Sequence, residues 1–134
     1  MKLSVIIPVY NEAASIRTVI ERVRGCGVPN LEVIVVDDCS TDGTRAVLEA
    51  LPAEWGVRAL FQTRNQGKGA AVRRAQAEVS GDAVVIQDAD LEYDPAELPR
   101  LLRPIEQGLA DAVYGSRYSG REILVDTFWH YLGN

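Results

Sequence analysis

Runs of apolar residues that end abruptly in polar clusters, alternating with segments of helical period, constrain this chain more than any other feature. That alternation is the pattern of βαβ units on a parallel sheet. The first run, Leu3 to Val9, is apolar but for Ser4 and rich in valine and isoleucine, as suits a strand buried on both faces. Between Glu12 and Arg24 the apolar positions Ile16, Val19, Ile20 and Val23 recur at helical spacing, and Gly25 and Gly27 end the segment. A second strand is expected over Leu31 to Val36. Ser40 or Thr41 is placed to cap the helix after it, which turns Val47, Leu48 and Leu51 inward and stops at Pro52. A weaker strand, Val57 to Phe61, precedes a helix over Ala70 to Val79, closed by Gly81. The strand Ala83 to Ile86 leads to a helix that starts at Pro95 and carries Leu98, Leu101, Leu102 and Ile105. A fifth strand is expected over Ala110 to Tyr114.

With 134 residues, the chain suits one domain, residues 1–134, with a real core. A net charge of −5 argues against a nucleic-acid binder, which needs a basic face for phosphates. The acids gather in two places, Asp37 with Asp38, and Asp88, Asp90, Glu92 and Asp94. Carboxylates that close repel one another unless a cation sits among them. Cys26 and Cys39 match no disulfide framework or metal motif and read as reduced thiols. His130 has no motif partner, so a nucleophilic triad is not expected. The opening LSVIIPVY is too short for a signal core, and no run approaches the roughly 20 apolar residues of a membrane span. The chain as a whole reads as cytosolic.

The polar clusters follow strand ends: Tyr10-Asn11-Glu12, Asp37-Asp38, Asp88-Ala89-Asp90 and Ser116-Arg117. In an open parallel sheet, ligands bind in the crevice outside those ends. Alternate residues of an extended segment point the same way, so Asp88 and Asp90 can face one site. Hard oxygen donors of this kind suit Mg2+ or Mn2+, which bind phosphate oxygens as well, and Glu92 could add a third. Of the acidic pair at the second strand, one is expected to brace the helix start and the other, Asp38, to bind a ribose hydroxyl or base amide. Asn65-Gln66-Gly67-Lys68-Gly69 lacks the spacing of a Walker loop, but its glycines permit close approach and Lys68 could balance diphosphate charge. The planar donor fork of Arg117 suits phosphate. No Gly-x-Gly-x-x-Gly follows the first strand, which argues against a dinucleotide oxidoreductase.

Pro8-Val9-Tyr10-Asn11-Glu12, the Val35 to Thr44 segment, Asn65 to Gly69, Asp88-Ala89-Asp90 and Gly115-Ser116-Arg117-Tyr118 together resemble family 2 glycosyltransferases of the GT-A fold. The likeness is greatest to dolichol-phosphate mannose synthases and other polyprenyl-phosphate sugar transferases. The resemblance implies an α/β, three-layer, Rossmann-like fold with a mostly parallel sheet. It implies that Pro8, Tyr10, Glu12, Val36 and Asp38 surround base and ribose, and that Asp88, Ala89 and Asp90 contact the donor, with Asp90 a direct metal ligand. Glu92 stands where the family often has glutamine. The implied reaction is inverting, metal-dependent transfer of a hexose from GDP-mannose or UDP-glucose to a polyprenyl phosphate at the cytoplasmic face of a membrane, with Asp90 and Arg117 as its catalytic residues. Family catalytic domains continue past this length, so a chain truncated at its C-terminus is expected, one that binds nucleotide without turning over.

Three other readings compete. A signalling receiver domain has a similar acidic pair, but it needs a lysine after its acceptor aspartate, and none follows Lys68. A sugar nucleotidyltransferase needs a glycine- and arginine-rich loop after the first strand, which Tyr10 to Arg17 does not offer. A non-catalytic sugar-nucleotide binder would keep the site and lose the chemistry.

Overall fold

The computed structural model describes residues 1–115 and the strand at residues 122–125. The chain divides into two compact units, Met1–Ala96 and Glu97–Asn134.

The first unit is built on four parallel strands: β1 (Leu3–Val9), β2 (Leu31–Asp37), β3 (Arg58–Phe61) and β4 (Ala83–Ile86). Their order across the sheet is β3-β2-β1-β4. All seven residues of β1 are buried, because it lies between two strands and beneath helices on both faces. Between the strands run α1 (Ile16–Arg24), α2 (Thr44–Glu49) and α3 (Lys68–Gln76). From β1 to β3 the chain steps one way along the sheet, and from β3 to β4 it steps back past β1. Right-handed crossovers then place α1 and α2 on one face and α3 on the other, which gives the three layers.

Packing agrees with that arrangement. The α3 face holds a buried cluster of Ile6, Ile34, Val36, Ala71 and Ala75. Ile6 pairs with Ile34 across the ladder, so both side chains point the same way. Their neighbours Val5, Ile7, Val33 and Val35, all buried, face the opposite layer. There α1 buries Ile16, Val19, Ile20 and Val23, the four positions its periodicity selects. Fully buried alanines at 71 and 75 let α3 lie close against the sheet.

Two local expectations fail for identifiable reasons. The first helix is regular from Ile16 rather than Glu12; the turn before it is closed by the Ser15 and Ile16 N–H groups on the Glu12 carbonyl. Neither Ser40 nor Thr41 caps α2: its cap residue is Gly43, at φ 96°, while Ser40 binds Asp37 and Thr41 binds Asn11.

In the second unit, α4 (Leu98–Glu106) buries Leu98, Leu102 and Pro104. The expected fifth strand exists as β5 (Ala112–Gly115), but it does not extend the four-stranded sheet. It pairs antiparallel with β6 (Glu122–Val125) in a sheet of its own. The apolar pattern does not predict β6, and with it β5 forms an antiparallel pair where a parallel fifth strand is expected. Ser116 and Arg117 lie outside the described residues, as does His130.

Candidate functional site

From β1 the chain steps to β2 and β3 on one side, and it then returns past β1 to β4 on the other, so the order of the sheet switches between β1 and β4. At such a switch point the loops part and leave a crevice at the carboxyl ends of the strands. A hollow of about 250 Å3 opens there. The end of β1 and its loop contribute Pro8, Val9, Tyr10 and Glu12; the loop after β2 contributes Asp38; α3 contributes Lys68 and Ala71; the β4 loop contributes Asp88, Ala89 and Asp90. Eight of the residues singled out in the sequence thus share one cavity. Val36 is fully buried beneath α3 instead. Glu92 is exposed and outside the lining, and its backbone N–H donates to Asp90 Oδ1 at 3.1 Å.

Three loops are stitched together below the rim. The Asn11 side chain accepts from the Thr41 N–H at 2.7 Å, and the Asn11 backbone N–H donates to Ser40 Oγ at 2.9 Å. Thr44, fully buried, accepts the Glu12 N–H at 3.1 Å and donates to Asp42 Oδ1 at 2.6 Å. Asp42 also accepts the Ala13 and Thr44 N–H groups, at 3.1 and 3.0 Å. The Thr44 hydroxyl foremost, then the Ala13 amide, hold the Asp42 carboxyl below its ordinary value of 3.8, since each bond favours the charged form. Ser15 Oγ lies 2.6 Å from the Ala89 carbonyl and 3.0 Å from Glu12 Oε2, tying the first loop to the β4 loop.

The two adjacent aspartates divide their work. Asp37, buried, accepts the Ser40 hydroxyl and braces the turn. Asp38, also buried, lines the hollow and accepts the Gln66 N–H at 2.9 Å and the Gly67 N–H at 2.8 Å, one on each oxygen. It therefore fixes the loop that leads into α3. Gly67 sits at φ 92°, in the region glycine enters without strain. Lys68 Nζ is ion-paired with Asp88 Oδ1 across the hollow.

Sequence reasoning missed the supports. Ser15 and Gln87 carry no motif signal of their own, and Thr44 closes the Val35 to Thr44 segment without a role being read for it there. Buried Gln87 donates to the Tyr93 carbonyl at 3.1 Å and the Asp88 carbonyl at 3.3 Å, so it ties together the two ends of the Asp88–Tyr93 stretch. Among the described residues, the non-glycine positions with left-handed φ are Asn11 (52°), Cys39 (62°) and Leu91 (66°). All three lie on loops at the carboxyl rim, where strained backbone is characteristic of functional sites.

Among the described residues no three His, Cys, Asp or Glu side chains gather on one point. Asp88 and Asp90 nevertheless put two hard oxygen donors on the hollow. Mg2+ and Mn2+ are commonly held by one or two carboxylates, with waters and phosphate oxygens completing the shell, and the donor set fits that mode.

Comparison with known proteins agrees with this geometry. The family model described as Glycosyl transferase family 2 matches residues 4–133. A dolichol-phosphate mannosyltransferase of Pyrococcus furiosus is 39% identical over 120 residues, which cover 88% of this chain and 34% of that protein. An undecaprenyl-phosphate 4-deoxy-4-formamido-L-arabinose transferase of Serratia proteamaculans is 39% identical over 112 residues, 80% of this chain and 34% of the relative. A mannosyltransferase from Pyrobaculum calidifontis, solved with GDP-Man and Mn2+, superposes with a TM-score of 0.60 at 34% identity, over 66% of this chain and 27% of that one. The chain spans about a third of the length of the curated relatives it matches.

Proposed function

The chain belongs to glycosyl transferase family 2, and from that premise we propose that residues 1–134 form the donor-binding portion of a GT-A glycosyltransferase domain. The whole protein transfers a hexose, mannose or glucose, from a nucleotide diphosphate sugar to a polyprenyl or dolichyl phosphate, with inversion. The observation that carries this reading is that Asp38, Lys68, Asp88 and Asp90 line one hollow at the switch point of the sheet. Named relatives use lipid phosphates of the polyprenyl class, and a structural neighbour holds GDP-Man with Mn2+.

In this reading Tyr10, half exposed at the mouth of the hollow, and Pro8 flank the base, with Val36 behind them. Glu12 and Asp38 face the ribose side. Asp88 and Asp90 hold Mg2+ or Mn2+, and Glu92 adds negative charge beside them. A divalent cation bound there neutralises charge building on the leaving diphosphate. Lys68 and Arg117 are the protein's own cations for that task. The acceptor phosphate is already an anion and attacks without a strong general base, so activity should show no essential base titrating near neutrality. Among the described residues no helix is long and apolar enough to cross a membrane. The lipid acceptor would place the full-length protein at the cytoplasmic face of the membrane.

The test is a thermal-shift panel of GDP, UDP, GDP-mannose and UDP-glucose, each with and without Mn2+. Ligands that bind only the native state raise Tm by mass action. A rise is expected for one base series with metal present, and no rise with any nucleotide and Mn2+ would remove the donor-site assignment.

A further inference from the structure

We propose that Lys68 is a placeholder cation, which occupies Asp88 until a metal-bearing diphosphate arrives and then transfers to the phosphate. The inference rests on the donor-site reading above and adds a binding order to it. Lys68 is the first residue of α3, where the helix N-terminus already carries partial positive charge and disfavours a cation. Its counter-charge comes from another loop, through the ion pair with Asp88. The lysine and aspartate side chains are 60% and 31% exposed, so the pair is wet and cheap to break. The lysine backbone, by contrast, is held: the two residues before it give their N–H groups to Asp38. Exchange therefore needs only rotation about side-chain bonds.

The consequence is a coupling of opposite signs. Asp88 cannot serve a bare divalent cation without giving up Lys68 and leaving two like-charged groups a few ångströms apart. With a diphosphate present, the ammonium and the metal both meet phosphate oxygens, and Lys68 changes from competitor to ligand. Lys68 should thus weaken binding of the metal alone and strengthen binding of the metal with nucleotide.

Free Mn2+ measured by EPR, on the full chain with and without GDP or UDP, reads both signs. Lys68→Met is expected to bind Mn2+ alone about two- to fivefold more tightly than the parent, the range of an exposed ion pair. It should bind Mn2+ with the nucleoside diphosphate more weakly by at least as much. Lys68→Arg, which keeps the charge, should behave like the parent, and melting by circular dichroism checks that both variants fold. A Met variant that binds bare Mn2+ no more tightly than the parent, undetectable binding included, overturns the placeholder role. If the parent itself binds neither GDP nor UDP with Mn2+, the donor-site reading falls instead.

Discussion

Gly81 lies so close to the start of β1 that a Cβ built on it would stand 2.8 Å from the Ser4 nitrogen and 2.9 Å from the Lys2 carbonyl oxygen. Both are backbone atoms, one in buried β1 and one just before it, and neither is the free end of a flexible side chain. Gly81→Ala should cost about 1–3 kcal/mol, the range of overpacking, seen as a lower midpoint in urea. Asp42 gives a second residue-level expectation. Its folded-state value is depressed below 3.8, so the native chain binds fewer protons than the unfolded one. Its contribution is complete above pH 3.8 and is lost as pH falls through the folded value. Asp42→Asn should flatten that part of the acid-unfolding curve; an unchanged curve would remove Asp42 from the stitching. Glu32 behaves in the same direction. Burial pushes its carboxyl up, but hydrogen bonds from Lys2 and Ser80 outweigh this and hold it below 4.5.

At the scale of elements, α3 is positioned by its small residues. Ala75→Leu would drive a branched side chain into the layer between α3 and strands β1 and β2, where Ala75 is fully buried. A loss of about 1–3 kcal/mol is expected, with weaker nucleotide binding, since Lys68 and Ala71 ride on the same helix. The β4 loop depends on Gln87. Gln87→Leu leaves the Tyr93 carbonyl without that donor, and metal–nucleotide affinity should fall more than thermal stability does. Equal losses in isothermal titration and in melting would point to a purely structural glutamine. These elements were legible to different degrees. Strands β1 and β4 read off at their true bounds because their runs are apolar but for Ser4. The start of α1 did not: the first turn, closed on the Glu12 carbonyl, precedes the regular helix, and the side chains that hold the N–H groups of residues 11–13 come from residues 40–44.

For the molecule as a whole, the expectation concerns metal removal. If Asp88 and Asp90 serve a cation that carries the diphosphate, EDTA should abolish the nucleotide-dependent rise in Tm. A rise that survives chelation would mean that protein cations alone hold the phosphates. From the sequence alone came the βα alternation, the buried central strands, the family likeness and most residues of the hollow, because apolar period and polar strand ends are local signals. Tertiary structure decided what no local pattern records. Strand order placed β4 beside β1 and so brought Asp38 and Asp90 to one cavity. It moved the expected fifth strand into a separate antiparallel pair. It also gave Asp38 to the loop before α3, Asp88 to Lys68 and the β4 loop to Gln87. The Gln87 bonds stay within its own loop. The Asp38 and Asp88 contacts join residues 20 or more positions apart, and only the path of the backbone through the sheet sets which groups meet.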